Sequence, residues 1–482
     1  MKYLSKIIIS LVVMAMALSA CTDFDEMNTD PTRLTQANPG TLLNPILYEM
    51  AAYNWNRYNS YTFPLMQGTV STSSISGVGW YNIPDAAGDG SWTTYYKWLT
   101  NIREMEKEAI ALNEPNYRAV ALTLRGWIFQ LLADGFGDVP MSQACRGDEG
   151  IFTPEFDTQL DIYKQIVADL DTANALFNTA VGLKYNTDGD LLYATNATLT
   201  SGVSPGIVKW KKFCNSIKMR VLLRGISVTE LGAKAKMEEM LGNTAKYPMF
   251  ESNAEAALLP ISGVYPQEAP MTRPQDFTSY TYLSEFFIDN LKAWNDPRLP
   301  VFATQATNSG VKSYIGLPSG YAVVPSFSAS QPKQALAIAP MKLTLMSYAE
   351  LELIKAEYEQ RYGTAVNAED HYKKGVAAAI EQWGAVVPAN YFSNTAVAYN
   401  GTLEQLMTQK YYALFFCDYQ AWFEYNRTGF PKVPTGVGVS TGKHMPKRFK
   451  YPVVLQRTNL KNYQQAKTSM GGDDFDIELI WQ

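Results

Sequence analysis

Apolar residues recur every three or four positions along residues 42–56, 92–112 and 117–133, where Leu122, Leu124, Trp127, Ile128 and Leu131 form one broad stripe. That period predicts helices that bury one face. Residues 157–177 repeat it through Leu160, Tyr163, Ile166, Val167, Leu170, Ala173 and Leu176, and residues 207–226 follow a Pro205-Gly206 start signal. Further on, 343–362, 367–383 and 403–426 read as three more helices, so the scaffold blocks are about 42–56, 92–133, 157–177, 207–226, 343–384 and 403–426. In residues 366–384 Tyr372 precedes Ala377, Ala378, Ala379 and Trp383, and 157–177 has a similar placement of Tyr and Ala. Both look like degenerate tetratricopeptide helix pairs, although the period is not clean. The expected fold class is all-α, a tetratricopeptide-like helix-pair scaffold with a long, loop-rich and largely irregular portion.

Three stretches break the helical period. Residues 66–91 are rich in Ser, Gly, Asn and Asp around Trp80, Tyr81 and Trp92, residues 260–340 are rich in Pro, Gly, Ser and Tyr, and 430–482 form an irregular tail. Long irregular segments in a compact protein are usually functional.

The N-terminus has a different pattern. Lys2 and Lys6 precede an apolar run over 7–18 that is too short for a permanent spanning helix, and Leu18-Ser19-Ala20-Cys21 follows. This predicts a lipoprotein signal peptide over 1–20, acylation at Cys21, a tether over 21–40 and a body over 41–482; the alternative is an ordinary signal peptide with a chance Cys at the cut. Asp23, Asp25 and Glu26 make an acidic cluster behind Cys21, similar to a surface-export signal or else a solvated linker.

Composition narrows the function. Forty-one basic against 46 acidic residues give −5, and losing the first 20 residues with their two lysines makes the body −7. No basic field exists to hold a phosphate backbone, so no nucleic-acid partner is expected. Cys145, Cys214 and Cys417 lack C-x-x-C spacing, and the helical setting of the last two predicts buried free thiols.

Catalytic patterns are weak. Gly202-Val203-Ser204-Pro205-Gly206 fits the nucleophile-elbow pattern, but the polar residues 196–201 are not the apolar strand an elbow needs. His371 and His444 have no partner at metal-ligand spacing, and residues 471–476 lack the spacing and terminal Glu of a calcium loop. Asp85, Asp89, Asp276 and Asp473 are more simply loop carboxylates than a glycosidase pair. No catalytic residue, metal or cofactor is predicted.

Aromatics make up 13% of the chain, with 30 Tyr and 10 Trp, and some of them fall in the loops. A Trp or Tyr platform stacks on the C–H face of a sugar while nearby polar side chains bond its hydroxyls. Trp80, Tyr81 and Asn82 are the first candidate set; Tyr265, Arg273, Gln275, Asp276, Tyr280, Tyr282, Tyr314 and Tyr321 are the second. A peptide would use the same residue types, so the set does not choose between glycan and peptide.

Leu124-Arg125-Gly126-Trp127 followed by Gly137-Asp138-Val139-Pro140 resembles the SusD/RagB family of outer-membrane nutrient-binding lipoproteins. So do residues 210–220, Asp296-Pro297-Arg298-Leu299, residues 348–357, Gln409-Lys410-Tyr411, residues 421–431 and Arg448-Phe449-Lys450-Tyr451-Pro452. The resemblance spans essentially the whole mature chain, with Asn28-Thr29-Asp30-Pro31 where the family more often has Asn-Xaa-Asn-Pro. It implies a lipid-anchored, exterior-facing outer-membrane protein that does no chemistry and delivers a glycan or peptide to a SusC-like TonB-dependent transporter. Arg125, Trp127, Trp210, Arg220, Trp422 and Arg427 lie in or at the ends of predicted helices, where packing or ion pairing is expected. A periplasmic tetratricopeptide scaffold and an enzyme with scattered carboxylates are the remaining alternatives.

Overall fold

The computed structural model describes residues 38–482. The signal segment, Cys21, the acidic cluster and the Asn28–Pro31 motif lie outside them. The longer helices are α1 (Pro39–Arg57), α2 (Asp89–Ala111), α3 (Pro115–Phe136), α4 (Gln159–Leu176), α5 (Pro205–Arg224), α6 (Ala233–Gly242), α7 (Glu285–Ala293), α8 (Tyr348–Tyr362), α9 (Ala365–Gln382), α10 (Leu403–Ala413), α11 (Gln420–Thr428) and α12 (Leu460–Ser469). Three two-stranded antiparallel ladders complete the ordered backbone: β1 (Thr69–Ser71) with β3 (Thr281–Leu283), β2 (Ala257–Ile261) with β6 (Met341–Met346), and β4 (Ala306–Asn308) with β5 (Val311–Ser313).

The helices start where their caps dictate. Ser204, Ser284, Ser347 and Thr402 each accept a hydrogen bond from the backbone N–H three residues on, satisfying a donor the helix leaves open. Consecutive helices α2 to α5 pack in pairs, as do α8 and α9, in the tetratricopeptide manner expected. Two glycines allow the close approach. A Cβ on Gly126 would stand 3.3 Å from the Leu170 side chain of α4, and one on Gly375 would stand 2.7 Å from Leu353 of α8. α5 packs against α8, where Arg220 meets Glu350 at 2.6 Å with both side chains buried.

Two expected helices differ. Residues 343–346 belong to β6: Leu343 and Leu345 alternate with Lys342 and Thr344, a period of two that the helix after Ser347 masked. The stretch 403–426 is broken between α10 and α11, where Phe416 and Asp418 take positive φ of 57° and 36°. The break lets Phe415 and Phe416 enter the core, Phe416 stacking on Trp55 at 4.9 Å and Phe415 meeting Phe302 at 4.3 Å. The regions expected to be irregular also hold α7 and α12, short amphipathic helices that Pro and Gly nearby had obscured.

Candidate functional site

The ladder of β1 with β3 joins two of the loop-rich regions, pairing Val70 with Tyr282 and Ser71 with Thr281. The Thr72 N–H extends it by donating to the Tyr280 carbonyl at 2.9 Å. Beneath it lies a small core, separate from the main one, of Val70, Trp80, Leu317, Tyr321 and Ala329, with Tyr282 and Val439 packed against it. The Trp80 indole N–H donates to the Tyr321 carbonyl at 3.0 Å, and the Tyr321 hydroxyl donates to the Ser71 carbonyl at 2.6 Å.

This corrects the expectation for Trp80. Its side chain is 2% exposed, as the 3₁₀ turn Val78–Trp80 folds it inward, so it supports the loops and offers no stacking face. Tyr321 is buried with it. Tyr81 is buried in the main core; burial first, with the nearby Tyr425 adding, pushes its phenol up to about 12. It borders a pocket of about 140 Å³ shared with His444, Asp474 and Asp476. Asn82 is half-buried and donates to Ser76 Oγ at 3.2 Å.

Tyr280 is placed differently. It is 64% exposed and held in the left-handed region at φ 54°, a conformation costly for a bulky residue. Thr72 on one side and Gln331, which donates to the Thr278 carbonyl at 2.7 Å, brace the turn. The preceding short helix Pro274–Thr278 buries Phe277 against Trp55 and Phe416. Gln275 and Asp276 are exposed on it, and Arg273, its N-cap, faces Asp276 at 3.5 Å. Arg273, Gln275, Asp276 and Tyr280 are thus all exposed along one short shoulder of the chain, and Tyr282 just beyond it is half-buried.

Two candidates belong elsewhere. Tyr265 is exposed on a loop tied to α1, where the Tyr48 hydroxyl donates to the Glu268 carbonyl at 3.0 Å and Asn56 to the Pro270 carbonyl at 3.2 Å. Tyr314 is half-buried against the main core. Sequence reasoning missed the bracing Gln331 and the exposed apolar residues Val323, Val324 and Phe327 just beyond Tyr321. Apolar residues in a chain ordinarily read as core, so only their exposure singles them out.

The family motifs are structural. Arg125 binds Glu106 and Asp169, Arg427 binds Glu357 and Glu424, and Arg224 joins Asp134 to Glu424. Burial pushes the Glu424 carboxyl up, but Arg427, Lys410 and Arg224 together hold it well below the usual range. Trp127, Trp210 and Trp422 are buried, and the Trp422 indole donates to the Pro446 carbonyl at 2.7 Å. Ser204 of the elbow-like pattern is buried and caps α5, accepting from the Ile207 N–H at 3.4 Å. His371 pairs with Glu352 at 2.7 Å, and Cys145, Cys214 and Cys417 are free thiols, the last two buried. Among the described residues, no helix is long and apolar enough to cross a membrane.

Among solved structures, the chain is similar to a SusD homologue from Bacteroides fragilis NCTC 9343, 24% identical with a TM-score of 0.77 over 92% of this chain and 99% of that one. A chitin-binding protein is 26% identical with a TM-score of 0.75, over 92% of this chain and 99% of its own. A SusD homologue from Bacteroides uniformis ATCC 8492 is 21% identical with a TM-score of 0.74, over 91% and 99%. No curated protein matches the chain. The model of one family matches residues 31–452, and on that match the chain belongs to the SusD-like family of starch-binding proteins that associate with the outer membrane.

Proposed function

We propose that this chain is a lipid-anchored protein of the cell exterior that binds an oligosaccharide and passes it to a SusC-like TonB-dependent transporter, without chemistry of its own. Tyr280 carries the reading. An aromatic ring held out to solvent on a strained turn, braced from two loops, is what a sugar platform requires, and nothing in packing calls for it. Arg273, Gln275 and Asp276 supply donors and acceptors for hydroxyls beside it. Tyr282 widens the apolar base. The family's starch-binding description and the chitin-binding relative favour glycan over peptide. Cys21 is the anchor, and two or more acyl chains there exceed the single chain that gives only marginal membrane binding.

Affinity electrophoresis through gels containing candidate polysaccharides tests the binding. The wild type should be retarded by one of them and Tyr280→Ala should run freely with its melting temperature kept; equal retardation of the two would move the site elsewhere. Gentle detergent extraction of a tagged chain should bring a large outer-membrane barrel with it, and recovery of the chain alone would remove the transporter from the proposal.

A further inference from the structure

Beside the helix Pro274–Thr278, whose Phe277 packs on Trp55, a cleft of about 280 Å³ opens between α1, β6 and the end of α9, bordered by Trp55, Leu336, Lys342, Thr344, Gln382 and Trp383. Its walls are largely aromatic and aliphatic. Phe416 stacks on Trp55, which is 2% exposed and so offers no ring face, while Phe302 and Phe415 meet Trp383 edge to face at 5.3 and 5.2 Å and fix that half-buried indole in place.

Lys342 and Thr344 are two apart on β6 and so share one face of the strand. Lys342 is exposed to solvent, and the buried Gln382 Oε1 has no hydrogen-bond partner. A buried amide group without a partner is costly, and a ligand is one way to satisfy it. The volume lies at the lower edge of the range for small-molecule sites, which suits one ring and not a chain of them. The walls ask for an apolar ring face. The Gln382 amide asks for a hydroxyl, which both donates and accepts and so satisfies either orientation of the amide. Lys342 asks for an anion.

We propose that this cleft is a second binding site, for a single acidic sugar ring of the hexuronate type. The ring face lies against Trp383, a ring hydroxyl bonds Gln382, and the carboxylate pairs with Lys342. Tyr280 is not among the residues that line it.

Titration of the mature chain with sodium glucuronate, followed by saturation-transfer NMR and tryptophan fluorescence, tests it, with glucose as the neutral control. Glucuronate should bind and glucose should bind more weakly. Lys342→Gln, an exposed change that leaves the melting temperature unchanged, should weaken glucuronate about tenfold, the loss of one charge-assisted hydrogen bond. Gln382→Leu should weaken both sugars, and Tyr280→Ala should change neither. Absence of glucuronate binding, glucose binding equally well, or an unaltered Lys342→Gln titration would each overturn the proposal. Loss of the signal in Tyr280→Ala would place the bound ring at the first site and overturn it too.

Discussion

The Trp80 indole N–H donates to the carbonyl of Tyr321 at 3.0 Å, and the two rings meet edge to face with centroids 5.1 Å apart. Residues 241 positions apart in sequence thereby lock two loops that have few long helices to lean on. The indole satisfies its polar handle on a backbone carbonyl, so the ring is spent on packing.

Trp80→Ala should therefore destabilise the protein by about 3 to 5 kcal/mol, the usual cost of deleting a buried large aromatic. Trp80→Phe should fall between, keeping part of the packing but leaving the Tyr321 carbonyl without its donor. Urea denaturation measures both, and an Ala variant as stable as wild type would show that the small core carries no weight.

Tyr280 should separate stability from binding. Its φ of 54° suits glycine, so Tyr280→Gly should stay within about 1 kcal/mol of wild type, relief of strain offsetting the greater freedom of the unfolded chain. Glycan retention should be lost all the same. A Gly variant that binds normally would mean the ring is not the platform.

Arg220 reaches Glu350 through two bonds of 2.6 Å and also donates to the Leu345 carbonyl at 3.0 Å, with both charges buried. Arg220→Met alone leaves a buried carboxylate unpaired and should cost roughly 3 to 5 kcal/mol. Arg220→Met with Glu350→Leu should recover much of that. A double-mutant cycle with no coupling would deny that this pair fastens α5 to α8.

Burial pushes the Asp418 carboxyl up to about 6, with Glu350 adding and Arg220 opposing. Between its unfolded value and about pH 6 the folded state holds more protons than the unfolded one, so this group's contribution turns against folding as pH rises through that window. Asp418→Asn removes the titration. Its stability relative to wild type should improve by on the order of 2 kcal/mol from pH 4.5 to 7.5. Paired denaturation curves at the two pH values read this out, and a constant difference would contradict it.

Legibility in the sequence followed the range of the interactions. Helical stripes with caps at Ser204, Ser347 and Thr402 are local, and α5, α8 and α9 fall within a few residues of where the period places them. The β6 strand was misread because its partner, β2, lies some 80 residues upstream, and pairing across such a distance leaves no local signature except a short alternation. The break before α11 depends on Phe415 and Phe416 finding Phe302 and Trp55, partners that no window of sequence contains.

The same physical division runs through the site. The sequence alone determined the family through its motifs, the helical scaffold through its apolar period and the loop regions through their Ser, Gly and Tyr content. It also marked Arg273, Gln275, Asp276 and Tyr280, which are near neighbours in the chain. Which aromatic is exposed was decided by tertiary structure. Trp80 and Tyr280 read alike in irregular sequence, but the pairing of β1 with β3 places Trp80 under Tyr321 and leaves Tyr280 outside. Burial is a property of what the rest of the chain brings to a residue. In loops, where no 3.6-residue period assigns an inner face, only the folded chain supplies it.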